Sequence, residues 1–137
     1  KPAVGIFAER QKKAAIDKVA VIESRGFLFG AAVAYQLGLG IVPIRKKGKL
    51  PYKTVEATYD LEYGSATLQM HVDAVKKGER ILLIDDLLAT GGTAAASAKM
   101  IEDLGGVVAE IDFLIELAFL KGRDKLTRYP LFAPVVF

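Results

Sequence analysis

The chain has no cysteine among its 137 residues. Disulfides, thiolate nucleophiles and cysteine-ligated metals are thereby excluded, and the absence fits a reducing compartment. No apolar run approaches the roughly 18 uninterrupted residues of a membrane span, and the N-terminus lacks the charged, apolar and small-residue order of a signal peptide. A soluble, cytoplasmic protein with no membrane partner is expected. Excess charge is also small, with 19 Lys and Arg against 16 Asp and Glu for a formal net charge of +3. The basic residues cluster, which points to a local anion site and away from a nucleic-acid surface. The single histidine, His71, sits in "QMHVDAV" and reads as a helix surface residue, not a general base. Two common phosphate motifs are missing as well. No lysine follows Gly92 as a P-loop requires, and no Gly-x-Gly-x-x-Gly follows a strand, so a dinucleotide fold has little support.

What is present suffices for one domain spanning residues 1–137, since 52% of the residues are hydrophobic and 26% charged. "FAERQKKAAIDK" (7–18) carries good helix formers and predicts a helix. "VAVIES" (19–24) reads as a buried strand, "GFLFGAAVAYQLGLG" (26–40) as an apolar helix closed by Gly38 and Gly40, and "IVPI" (41–44) as a second strand. Pro43 is awkward there because proline cannot donate to a sheet ladder. "RKKGKLPYK" (45–53) reads as a basic loop. "TVEATYDLEY" (54–63) alternates strictly, with Val55, Ala57, Tyr59 and Leu61 on one face and Glu56, Thr58, Asp60 and Glu62 on the other, as in a half-exposed strand. A short helix is expected around Ala66 to Val75, then the strand "RILLID" (80–85), a helix from about Gly92 to Leu104, and a strand over 107–117. Helices alternating with near-continuous apolar strands predict an α/β fold with a mostly parallel central sheet flanked by helices. Ligands of such sheets gather at the carboxyl ends of the strands, where Asp85, Asp86, Glu23, Ser24 and Arg25 fall.

The stretch "RILLIDDLLATGGTAAA" (80–96) poses a chemical conflict. Two adjacent carboxylates, Asp85 and Asp86, stand beside a glycine-bearing turn suited to an anion. Gly91 and Gly92 allow close backbone approach, Thr90 and Thr93 add hydroxyl donors, and the start of a helix adds partial positive charge. Carboxylates accept hydrogen bonds and do not donate them, so the acids call for hydroxyls or a hydrated metal. A phosphorylated sugar satisfies both halves. The plain alternative is a strand, turn and helix junction with solvated acids.

"ILLIDDLLATGGT" resembles the phosphoribosyl-diphosphate (PRPP) signature of type I phosphoribosyltransferases, in the form found in the adenine-using branch. "ESRGFLFG" (23–30) and "IRKKGKLP" (44–51) followed by "YDLEYG" (59–64) agree with it, in the expected order. The resemblance covers about Val19 to Lys121. It implies transfer of the 5-phosphoribosyl group from PRPP to adenine, giving AMP and pyrophosphate, with Mg2+ held through PRPP and waters, in a homodimer. By the same resemblance Asp85 and Asp86 would hold the ribose hydroxyls, and Ala89, Thr90, Gly91, Gly92 and Thr93 the 5-phosphate. Ser24, Arg25, Arg45, Lys46 and Lys49 would meet pyrophosphate, with Lys49 reaching across a dimer contact. Leu87 and Arg25 would touch the purine. Glu62 would be the acid/base residue on a mobile loop with Tyr63.

The chemistry suits these residue types, because departure of pyrophosphate from an anomeric carbon builds oxocarbenium character and needs a cationic grip on the leaving group. Each residue also has an ordinary reading: Glu62 as a solvated strand carboxylate, Arg25 as a partner of Glu23, the basic loop as plain surface, Phe27 and Phe29 as core. A noncatalytic PRPP- or nucleotide-sensing module of the same fold is the alternative function. The family further implies a purine-closing segment ahead of the first block. Only Lys1 to Lys18 precede Val19 and none of them matches it, so the expectation is either that further residues lie upstream of Lys1, which is not a methionine, or that the protein is a shortened relative.

Overall fold

The computed structural model describes residues 3–61 and 63–137. Its centre is β1 (Lys18–Ile22), parallel to β2 (Gly40–Lys46) on one side and to β5 (Arg80–Leu88) on the other. Beyond β5 runs β6 (Val107–Glu116), also parallel, and the short β7 (Leu131–Phe132) and β8 (Val135–Val136) both pair with β6. At the opposite edge β3 (Thr54–Leu61) and β4 (Gly64–His71) form an antiparallel hairpin, which meets β2 through Arg45↔Gln69 and Lys46↔Leu68. The spatial order is β3-β4-β2-β1-β5-β6-β7, so the sheet is mixed, with a parallel centre and an antiparallel edge.

Period-2 alternation distributes the central strands between two cores. Val19, Val21, Leu82 and Ile84 pack against Phe7 of α1 (Ala3–Gln11) and Val33 and Ala34 of α2 (Arg25–Leu37). Their neighbours Ala20, Ile22, Ile81 and Leu83 face α3 (Gly92–Asp103) and the hairpin residues Ala57, Leu68 and Met70. Helix α2 lies so close to the sheet that a Cβ on Gly30 would collide with the Val21 side chain. It ends at Gly38, in the left-handed region at φ 71°, where the N–H groups of Gly38 and Leu39 return to the carbonyls of Tyr35 and Ala34.

Several elements differ from expectation. The first helix covers Ala3–Gln11, not 7–18, because the chain must turn after Gln11 to enter β1. Ala15 takes φ 52°, and Asp17 pins the entry by donating its N–H to Arg80 and accepting the Arg80 N–H on its carboxylate. The helix expected around Ala66 to Val75 is instead strand β4 up to His71, and His71 is therefore on a strand end with its ring Nε2 2.9 Å from the Pro51 carbonyl. Cross-strand pairs decide this against local helix propensity: Thr58 with Thr67, and Gln69 donating to Glu56. Arg45 and Lys46 belong to β2, not to the basic loop, and β5 runs on to Leu88, which puts Asp85, Asp86 and Leu87 on a strand. The first strand stops at Ile22, leaving Glu23 and Ser24 in a turn whose connecting peptide is cis. Pro43 is tolerated for a geometric reason. Ile44 sends its carbonyl to the Glu23 N–H, so Pro43 points its nitrogen away from β1, toward the side where β4 pairing starts only at Arg45.

Candidate active site

Adjacent strands β2, β1 and β5 end side by side, and their carboxyl ends open a cleft of about 350 Å³. Glu23, Ser24 and Arg25 reach it from the β1–α2 turn, Lys46 from β2, Asp85, Asp86 and Leu87 from β5, Ala89 and Thr93 from the following turn and helix, and Tyr59 from β3. A smaller recess of about 70 Å³ adjoins it, formed by the turn from Leu88 to Ala94 with Asp85, Leu87 and Phe113. The cleft is within the size range of small-ligand sites.

The acids are arranged unequally. Asp85 accepts the N–H of Asp86 at 2.8 Å, while Asp86 meets the Arg25 guanidinium at 2.9 Å. Burial, with the neighbouring Asp86 carboxyl behind it, pushes the Asp85 carboxyl up to about 8, against the opposing Asp86 N–H and Arg25. Asp85 thus resists ionisation, which lowers the negative charge facing the adjacent anion-type turn. Gly26 gives Asp85 its room, since a Cβ there would lie 3.0 Å from the Asp85 Oδ1. The Arg25 side chain is largely exposed, so its ion pair orients Asp86 more than it stabilises the fold.

The turn is built for an anion and also for its protein neighbours. Gly91 precedes α3 with φ 87°, offers no side chain to cap the helix, and no acid occupies the first turn. The positive end of α3 is thus left facing the recess. A Cβ on Gly91 would lie 2.5 Å from the Gly122 carbonyl oxygen, and one on Gly92 would lie 3.0 Å from the Tyr59 ring. Gly91 is demanded by packing before any ligand is considered, while at Gly92 a side chain would require the Tyr59 ring to give by a few tenths of an ångström. Gly122 answers in kind, with its own Cβ position 2.5 Å from the Ala89 carbonyl oxygen. Next to it Arg123 forms a paired contact with the buried Glu116 at 2.8 and 2.9 Å.

The structure thus gathers Ser24, Arg25, Lys46, Asp85, Asp86, Leu87, Ala89, Thr90, Gly91, Gly92 and Thr93 around the cleft and its recess. Arg45 stands behind it, donating to Glu23 at 3.1 Å and lying over the Phe27 ring at 5.7 Å. Burial works against ionising Glu23, but the Lys46 N–H and the Arg45 guanidinium overcome it and hold that carboxyl below its ordinary value. Arg25 pairs with Asp86 and not with Glu23. Lys49 sits in the exposed turn after β2, and Tyr63 is exposed beyond the end of β3; neither lines the cleft. Glu62 lies outside the described residues. Phe29 is core, edge-on to Phe7 at 4.7 Å, and Phe27 packs on the same cluster. Tyr59 was not anticipated at the site. Its hydroxyl accepts a hydrogen bond from Thr93 at 3.0 Å, and its place on an apolar strand face gives no sequence signal of that role.

Residues 4–123 match the phosphoribosyl transferase domain family. An adenine phosphoribosyltransferase of Clostridium botulinum is 57% identical over 122 residues, which is 89% of this chain and 71% of that protein. The crystal structure of adenine phosphoribosyltransferase from Thermoanaerobacter pseudethanolicus superposes with a TM-score of 0.95 at 51% identity, covering 98% of this chain and 78% of the other. The Saccharomyces cerevisiae adenine phosphoribosyltransferase, complexed with D-2,5-dideoxy-2,5-imino-altritol 1,6-bisphosphate and adenine, superposes at TM-score 0.91 with 42% identity over 95% of this chain and 76% of that one.

Proposed function

The chain belongs to the phosphoribosyltransferase family, and from that membership we propose that it is an adenine phosphoribosyltransferase of purine salvage, converting adenine and PRPP to AMP and pyrophosphate. The observation that carries the proposal is the juxtaposition of Asp85 and Asp86 with an uncapped, glycine-led helix start inside one cleft. Relatives named for this enzyme match most of the chain, and one of them was crystallised with adenine and a sugar bisphosphate. The alternative of a noncatalytic sensing module has no comparable support.

In this reading the 5-phosphate enters the recess. The backbone N–H groups of Ala89 to Thr93 and the hydroxyls of Thr90 and Thr93 donate to its oxygens, and the end of α3 favours its charge. Asp85 and Asp86 accept the ribose hydroxyls. Arg25 and the Ser24 backbone hold the pyrophosphate, with Lys46 at the cleft wall and Arg45 and Lys49 adding positive charge around it. Leu87 and Arg25 lie against the purine. The bond from C1 of the ribose to pyrophosphate breaks, the bond from C1 to adenine N9 forms, and Glu62 takes the N9 proton. Cationic side chains stabilise the departing polyanion while the ribose carries oxocarbenium character.

Phosphoribosyltransferases generally use Mg2+ with PRPP. Among the described residues no three acidic or histidine side chains converge as a metal cage. The donor set does fit a hydrated magnesium ion brought in on the diphosphate, with Asp85 and Asp86 accepting from its waters, because Mg2+ keeps several waters and prefers few carboxylates plus phosphate oxygens. When bound it supplies charge neutralisation for the leaving group. Residues 1–137 as one domain, the cytoplasm and a homodimer complete the proposal, the last readable from the molar mass in solution. Among the described residues no helix is long and apolar enough to cross a membrane.

The test is AMP formation from adenine, PRPP and Mg2+ by the wild type and by Glu62→Gln. The variant is expected to keep PRPP binding and lose about 100- to 10,000-fold in rate, the usual worth of a general base. Equal rates would remove Glu62 from the mechanism, and no AMP from the wild type would remove the function.

A further inference from the structure

We infer that Tyr59 is a positioning residue that couples occupation of the phosphate turn to docking of the β3–β4 hairpin, a role that rests on the function proposed above. The hairpin is held in the core by Ala57, Leu68 and Met70, whereas beyond the Tyr59↔Ala66 pair Asp60, Leu61, Gly64 and Ser65 are exposed. It lies at the edge of the sheet, and β4 meets β2 through two residue pairs only, at Arg45 and Lys46. Further ties come from the Lys47 and Gly48 N–H groups, which donate to the Thr67 carbonyl, one register position before the Tyr59↔Ala66 pair, and to the Gln69 side chain. Towards the far end, two register positions before the Leu61↔Gly64 pair, Tyr59 reaches α3. Beside this contact an open hollow of about 330 Å³ lies between the outer part of the hairpin and α3, bounded by Thr58, Tyr59, Asp60, Gly92, Ala96 and Lys99. The far half of the hairpin therefore has room to shift and one hydrogen bond to the helix, from Thr93 to the Tyr59 hydroxyl at 3.0 Å, among the described residues. Gly92 is the seat for the ring, which a Cβ would press at 3.0 Å.

That bond is made by a residue of the phosphate turn itself. A hydroxyl has one proton to give and two lone pairs with which to accept. In the free site Thr93 gives its proton to Tyr59. When a phosphate fills the turn, the Thr93 proton turns to a phosphate oxygen, and the phenol proton of Tyr59 turns to the freed lone pair on Thr93. The tether is kept with its direction reversed. It now ends on an anion, and hydrogen bonds in such chains strengthen one another. A filled turn consequently holds the hairpin more firmly than an empty one.

Hydrogen–deuterium exchange of the amides of residues 64–71, with and without ribose 5-phosphate, tests this on the wild type and on Tyr59→Phe, which retains the ring and its packing. Ribose 5-phosphate is expected to slow exchange in the wild-type hairpin. In Tyr59→Phe it should still bind, but the added protection should vanish, and kcat should fall about tenfold, the worth of one hydrogen bond to an ionic chain, with a smaller change in the KM for PRPP. The same ligand-induced protection in both proteins would overturn the inference. So would ribose 5-phosphate that binds the wild type without slowing the hairpin, and in that case the proposed function would stand. A wild type that does not bind ribose 5-phosphate would sink both.

Discussion

Gly91 shows how one residue can serve two neighbours. Its φ of 87° is a region that side chains rarely adopt, and its missing Cβ makes way for the Gly122 carbonyl at 2.5 Å. Gly91→Ala is expected to lower unfolding stability in urea by about 1–3 kcal/mol through backbone strain and the clash, and to weaken ribose 5-phosphate binding as the turn shifts; an unchanged urea midpoint would contradict this packing account. The chemistry-bearing types around this turn were legible in the sequence, because carboxylates beside glycines and threonines have few joint uses. The direction of single side chains was not. Arg45 donates to Glu23 and lies over Phe27, a direction set by the alternation of β2 and by the Glu23 carboxylate and not visible in the run of basic residues. Tyr59 fell on the apolar face of a well-formed strand pattern, where a phenol looks like any other ring.

At the scale of elements, α1 docks on β6 through a buried polar cluster. Gln11 donates its amide to Asp112 at 3.0 Å and to Glu110 at 2.9 Å, and Arg10 caps Glu110 at 2.7 Å. Burial, with Glu110 beside it, pushes the Asp112 carboxyl up to about 9, while burial of Glu110 is outweighed by its hydrogen bonds with Asp112, Arg10 and Gln11, which hold it below its ordinary value. The proton of the pair thus sits on Asp112, whose Oδ1 has no hydrogen-bond partner among the described residues. The folded state binds more protons than the unfolded one between the ordinary carboxylate value and about 9, so the stability from this site is complete in acid and is lost as pH rises through that window. Asp112→Asn mimics the protonated acid. Its unfolding free energy is expected to fall less than that of the wild type between pH 6 and 9, and parallel curves would refute the assignment. Asp85 contributes to the same window in both proteins, which is why the difference is the measurement. No local pattern reveals this cluster, since residues about a hundred apart meet in it. It also misread β4: Ala66, Leu68, Gln69 and Met70 favour helix one by one, but pairing with β3 outweighs propensity.

For the whole molecule, the order of helices and strands was readable because near-continuous apolar runs mark buried parallel strands. The antiparallel edge was hidden by the misread β4, and β7 and β8, at two residues each, are too short to carry a period. What the topology accomplishes is to end β1, β2 and β5 together, so that residues 24, 46 and 85 share one cleft despite their separation along the chain. The central claim is that this cleft holds a pentose by its hydroxyls and its phosphate by a backbone turn. A crystal soaked in ribose 5-phosphate measures it most directly. The account predicts the phosphate among the N–H groups of residues 89–93, with the ring hydroxyls on Asp85 and Asp86. Sugar density elsewhere on the molecule, or in this cleft with the phosphate pointing away from that turn, would contradict it.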